Sequence, residues 1–145
     1  MASSNIELFD EFAGKIFARL YENFPIPIDL NSKDFLPPTI REGGDVDSDG
    51  RLHHIRFFYA TTQWLASAGY TNSPDKKNSY SNDVVLTAKG LEVLKGSPSS
   101  LNAGPSIGEQ LVEAAKEEGK DTLKNLVKEA LSLGIKLIGP VVGLP

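Results

Sequence analysis

Two stretches are the most informative about the fold: WLASAGY at residues 64–70 and VLTAKGLEVL at residues 85–94. In the first, an apolar helix ends at Gly69, because glycine readily adopts the left-handed backbone that terminates helices. In the second, an apolar segment leads to Thr87, whose hydroxyl suits the N-cap of a short helix. The residues between them, 72–83, are rich in Asn, Ser and Asp, which is turn chemistry. We therefore predict a helix, a two-stranded hairpin and a short helix, in that order.

Two long helices are predicted before this hairpin. The first carries apolar side chains at helical spacing and ends before Pro25, since proline disfavours helix in the residue before it. The second extends from about Arg51 to Ala68 and is apolar around most of its circumference, as expected for a helix central to a core. One narrow stripe of polar and small residues remains on it: His53, Arg56, Ala60, Gln63 and Ser67.

Together these parts resemble a winged helix-turn-helix domain. In that superfamily the third helix ends in a leucine-x-x-x-glycine turn, a hairpin called the wing follows, and a leucine-threonine-x-x-glycine helix start closes the module. The stretches at 64–70 and 85–94 carry both patterns. The resemblance covers about residues 6–96 and implies an α+β, mainly helical chain with a winged-helix domain at 5–96.

The resemblance implies a small DNA-binding protein, similar to a transcriptional regulator, with double-stranded DNA as its partner. The implied nucleic-acid-binding residues lie on the second long helix and in the wing: Arg51, His53, Arg56, Gln63, Lys76 and Lys77. The distribution of charge agrees with an anionic partner for this region. Residues 51–105 carry a net formal charge of +3, whereas residues 1–50 carry -6 and residues 106–145 carry -1. The same fold also serves protein docking. The alternative is therefore a non-catalytic interaction or adaptor module, with a protein partner on the winged domain.

The last third predicts a separate unit. Residues 97–105 form a linker containing Ser, Pro and Gly, residues 106–139 an amphipathic helix, and residues 140–145 a tail. Ser106 and Glu109 have the spacing of a capping box. One apolar seam follows the helix at steps of three and four residues: Val112, Ala115, Gly119, Leu123, Leu126, Ala130, Leu133 and Leu137.

Three surfaces could cover this seam: the winged domain of the same chain, a second copy, or a membrane. Interfacial membrane helices usually carry basic residues on the polar face, whereas this polar face mixes both signs, so membrane contact is the least favoured. Ala115 and Gly119 permit close approach of a second helix. We predict a homo-oligomer joined through the seam.

The inventory of reactive side chains argues against an enzyme. The chain has no cysteine, and its two histidines, His53 and His54, are neighbours that point about 100° apart on a helix. An acidic loop at 45–50 opens like a calcium-binding loop, but Arg56 stands where a bidentate glutamate is needed. We predict no catalytic residues, no metal site and no cofactor. No secretion signal is recognisable, which predicts a cytoplasmic protein.

Overall fold

A computed structural model describes residues 5–36, 48–73, 83–96, 104–117 and 119–142, with the backbone alone described at 48–49 and 137–142. Within these ranges the chain is mainly helical. The elements in chain order are α1 (Asn5–Asn23), β1 (Ile28–Asp29), a 3₁₀ turn (Ser32–Asp34), α2 (Ser48–Ser67), β2 (Thr71–Asn72), β3 (Asp83–Leu86), α3 (Ala88–Lys95), α4 (Ile107–Glu117) and α5 (Lys120–Val142).

Helix ends follow the capping chemistry of the sequence. The Thr87 hydroxyl accepts a hydrogen bond from the Gly90 amide at 3.0 Å and begins α3. Ser106 and Glu109 satisfy each other's amides at 2.9 and 3.1 Å, so the capping box that begins α4 is confirmed. Gly69 has a φ of +94°, which confirms the left-handed terminus after α2.

The three short strands form one antiparallel sheet in the order β1-β3-β2. β3 is central and pairs Val84 with Ile28 of β1 and Leu86 with Thr71 of β2. Val84 and Leu86 point inward and are buried. The α+β, mainly helical class is therefore confirmed. β1 was not predicted, because a two-residue strand directly after Pro27 carries no alternation to recognise.

Helix α1 lies at the centre of the core. Phe12, Ile16 and Phe17 on α1 are completely buried. α1 contacts α2 on one side and, more extensively, α4 and α5 on the other. The C-terminal helices therefore share one core with the rest of the chain.

The single helix predicted at 106–139 is wrong, because the chain forms two helices there. The Gly119 amide donates to the Ala114 carbonyl at 3.0 Å, one residue further back than an α-helical bond, and α4 ends at Glu117. α5 begins at Lys120 and continues to Val142, so it also enters the tail predicted at 140–145. The break turns α5 back so that both helices pack on α1. Residues 97–103 of the predicted linker lie outside the described ranges.

Candidate functional site

One face of α2 is exposed along its length, and we name it the α2 stripe. It covers roughly 160° of the helix circumference and consists of Leu52, His53, Arg56, Ala60, Gln63, Trp64, Ala66 and Ser67. None of these side chains is acidic. The stripe therefore offers cationic, amide and aromatic groups without a carboxylate to repel an anion.

The opposite face of α2 holds the stripe outward. Phe58 is completely buried, with its ring 5.7 Å from that of Phe12 and 4.7 Å from that of Phe35. The buried Thr61 hydroxyl donates to the Phe57 carbonyl at 2.9 Å, so it needs no partner outside the helix. Aromatic packing of this kind stabilises one orientation of the helix about its own axis, with the stripe facing outward.

The stripe brings together three of the four binding residues predicted on this helix. His53, Arg56 and Gln63 are all exposed on it. Arg51 is partly buried and lies about 140° from the centre of the stripe. Lys76 and Lys77 lie outside the described residues, between β2 and β3.

The two histidines do not converge. Their ring centroids are 5.8 Å apart with the rings perpendicular, and His54 Nδ1 lies 2.9 Å from the Gly50 carbonyl oxygen. Among the described residues, no group of three or more His, Asp or Glu side chains could hold a metal ion. The carboxylates of the acidic loop at 45–50 lie outside the described side chains.

The seam predicted to join two copies is largely occupied within the chain. Leu123, Leu126 and Ala130 are buried in the common core. Val112, Ala115 and Leu133 are partly buried against it, Gly119 lies at the break between α4 and α5, and the Leu137 side chain is not described. Of the three surfaces that could cover the seam, the structure therefore shows the rest of the same chain. Association between copies stays a prediction.

A groove of about 710 Å³ opens beside the α2 stripe, and we name it the Trp64 groove. Helices α1, α2 and α5 form it, with apolar walls made by Ile6, Phe9, Phe57, Trp64, Leu131 and Ile135. Trp64 is 49% exposed, Ile6 65% and Ile135 69%. The rings of Phe9 and Trp64 meet edge to face at 5.3 Å. The sequence analysis did not predict this groove, because periodicity alone cannot distinguish a groove wall from a core.

Asp10 of α1 also lines the groove and is only 3% exposed. Its Oδ2 atom has no hydrogen-bond partner among the described residues. Burial raises the pKa of this carboxyl, whereas the ammonium groups of Lys128 and Lys124 oppose the rise and Glu7 adds to it. Lys124 is itself paired with Glu7 at 3.3 Å. Sequence reasoning missed Asp10, although its spacing of three and seven residues from Ala13 and Phe17 places this carboxylate on the apolar face of α1.

No family model, curated protein or solved structure matches the chain. Within the described ranges, no helix is both long and apolar enough to cross a membrane.

Asp10→Leu is expected to stabilise the chain at neutral pH. Because the pKa of Asp10 is raised above its ordinary value of 3.8, the folded state binds this proton more tightly than the unfolded state does. Folding stability is then greatest below that ordinary value and falls as the pH rises through the folded pKa. Leucine removes this decline, so urea unfolding should show a gain in the free energy of unfolding at neutral pH that becomes smaller in acid.

Asp34→Leu, at an exposed carboxylate 3.7 Å from Arg19, is the control and should change stability by less than about 0.5 kcal/mol. A gain that is the same at every pH would contradict the buried-carboxylate explanation.

Proposed function

We propose that the chain binds double-stranded DNA, as a winged-helix type of regulator, and that the α2 stripe enters the major groove. The observation that carries this proposal is the exposed stripe itself, with Arg56, His53 and Gln63 on one face and no carboxylate among its members. The major groove of B-DNA admits an α-helix. Arginine pairs with guanine and glutamine with adenine through two hydrogen bonds each, so these side chains suit base reading.

The order of the elements supports the same proposal. A helix, a short strand, a turn, a long helix and a hairpin follow one another, and β1 pairs with the second strand of that hairpin. The long helix, the hairpin after it and the short helix that follows are what the resemblance to winged-helix domains implies, whereas β1 was not predicted. The hairpin begins at Thr71, soon after α2 ends at Ser67, so the wing would lie beside the reading helix. The proposal also includes contacts of Lys76 and Lys77 in that wing with DNA phosphates.

A cytoplasmic location and pairing of two copies on DNA complete the proposal. Many helix-turn-helix proteins bind two half-sites as dimers. Because Leu123, Leu126 and Ala130 are buried within one chain, pairing would use a surface other than the predicted seam.

The test is fluorescence anisotropy of a labelled duplex of mixed sequence, titrated at low and at physiological salt. We expect micromolar binding that weakens steeply with salt, since phosphate contacts release counterions. Arg56→Ala should weaken binding about ten-fold, which is the scale of one lost bidentate contact. Arg51→Ala removes the same charge off the stripe and is the matched control, with little expected effect.

Two results would contradict this proposal. Absence of binding at low salt would remove the electrostatic attraction on which DNA-binding proteins depend, and a protein-docking module would then be the remaining function. Equal losses of DNA affinity in Arg56→Ala and Arg51→Ala would show that binding depends on the net charge of the protein rather than on the α2 stripe.

A further inference from the structure

The Trp64 groove has the dimensions of a small-molecule site. Its volume of about 710 Å³ falls within the range of roughly 300–1,000 Å³ that such sites occupy. Its walls are apolar and aromatic, and three of the wall residues, Ile6, Trp64 and Ile135, are about half exposed or more. Exposed apolar side chains that line one concave surface are a common mark of a binding site.

The aromatic walls are arranged to receive another ring. Phe9 and Trp64 are nearly perpendicular, with an interplanar angle of 85°, and Phe57 lies in the same wall of α2. Aromatic groups prefer offset or edge-to-face contacts, so a flat ligand placed between Trp64 and α5 gains such contacts with an already ordered pair. An aromatic ligand therefore fits these walls better than a flexible chain.

Asp10 specifies the polar group of that ligand. Buried acceptors in folded proteins almost always receive a hydrogen bond, yet Asp10 Oδ2 receives none among the described residues. The carboxyl is more than nine-tenths buried and belongs to the groove lining. A ligand with one N–H or O–H group would supply the missing donor.

The charges around the groove favour a neutral ligand. Asp10 and Lys128 both line it, whereas Lys124 and Glu7 nearby form an ion pair at 3.3 Å. A ligand carboxylate would face the buried Asp10 carboxylate, and a ligand ammonium would face the Lys128 ammonium. A neutral donor meets neither repulsion.

We propose that the Trp64 groove binds a small neutral aromatic molecule with a single hydrogen-bond donor, of the phenol or indole class. The ring lies against Phe9 and Trp64, and the donor bonds to the Asp10 carboxylate. This inference is independent of DNA binding, because it uses the flank of α2 rather than Arg56 and Gln63. A ligand there would nevertheless contact Ala60 and Trp64, which belong to both the groove and the α2 stripe.

Trp64 reports on its own site, because it is the only tryptophan of the chain. Its fluorescence is excited at the red edge of indole absorption, where phenols absorb little, and the protein is titrated with para-propylphenol. We expect a saturable change in Trp64 emission. The methyl ether, para-propylanisole, has the same ring without the donor and should bind about ten-fold more weakly, since the buried carboxylate again lacks a partner. The charged analogues para-propylbenzoate and para-propylbenzylamine should also bind more weakly than the phenol.

Variants of Asp10 locate the donor contact. Asp10→Leu removes the acceptor and is expected to abolish the preference for the phenol over its ether. Asp10→Asn keeps an acceptor oxygen without the charge and should reduce the preference several-fold, because charge-assisted hydrogen bonds are the stronger ones. Asp34→Asn, far from the groove on an exposed ion pair, is the control and should leave the preference unchanged.

Three outcomes would overturn the inference. They are an unsaturable response of Trp64 to the phenol, equal affinities for the phenol and the ether in the unmodified chain, and a preference that persists in Asp10→Leu. Because Asp10→Leu is expected to be the more stable protein at neutral pH, loss of the preference in that variant is readily separated from loss of the fold by its circular dichroism spectrum.

Discussion

A chain that ends at Gly96 is expected not to fold, although it contains the entire region that resembles a winged-helix domain. In the full chain, α4 and α5 place five buried side chains in the common core: Ile107, Leu111, Leu123, Leu126 and Val127. Burial of each contributes about 1.5–3 kcal/mol, and the five together are comparable to the whole stability of a typical domain. Without them the face of α1 around Gly14, which packs on Leu123 and Val127, would lie in water.

Circular dichroism and thermal unfolding of the shortened chain test this expectation. In the full chain, Leu123→Asp should act similarly and lower the free energy of unfolding by more than about 4 kcal/mol, because it buries a charge without a partner. Ile135→Asp on the same helix is the matched control, since Ile135 is 69% exposed, and should change it little. Cooperative unfolding of the shortened chain near the temperature of the full chain would instead establish residues 5–96 as an independent domain.

Gly90→Ala is expected to destabilise the chain by about 2–3 kcal/mol, the cost of overpacking a filled core. Intrinsic helix propensity predicts the opposite sign, a gain of about 1 kcal/mol, because Gly90 lies inside α3. A Cβ atom at this position would meet the Tyr70 carbonyl oxygen and come within 3.2 Å of Leu86 Cδ2. The Tyr70 carbonyl accepts the Thr87 amide at 3.0 Å, so the backbone cannot withdraw without breaking the start of α3.

Gly119→Ala is the matched control for this prediction. A Cβ atom at Gly119 would lie 3.6 Å from Thr122 Oγ1, an ordinary contact, so this variant should differ little from the unmodified chain. Both variants are compared by urea unfolding. A gain in stability for Gly90→Ala would show that α3 can move away from Tyr70 without loss.

Local chemistry in the sequence predicted most of the elements and several of their ends. Thr87, Ser106 and Gly69 each act on backbone groups within a few residues, so their roles are readable without the fold. The break at Gly119 was missed because the apolar seam keeps its spacing of three and four residues across it. This spacing is the same whether or not the chain changes direction. The packing of α4 and α5 on α1 depends on which surface covers the seam, and the sequence left three answers open.

Of the two candidate sites, the sequence predicted most of the α2 stripe but not the Trp64 groove. Helical spacing placed His53, Arg56 and Gln63 on one face, and the structure brings them together. Arg51 belonged to the set implied by the resemblance and lies elsewhere on the helix. The Trp64 groove needs side chains from α1, α2 and α5 at once, so no pattern within a single helix could predict it.

The central position of α1 has a consequence for how the protein is made. The Glu7–Lys124 ion pair joins residues 117 positions apart, and the helices that cover α1 are the last part of the described chain to be synthesised. At a synthesis rate of about 5–20 residues per second, α1 would wait roughly 5–20 s for α5 to emerge from the ribosome. During that interval its apolar face would be available to chaperones or to other nascent chains. Folding is therefore tied to the synthesis of α5, and a ribosome that stalls before α5 would release a fragment in which the apolar face of α1 is uncovered.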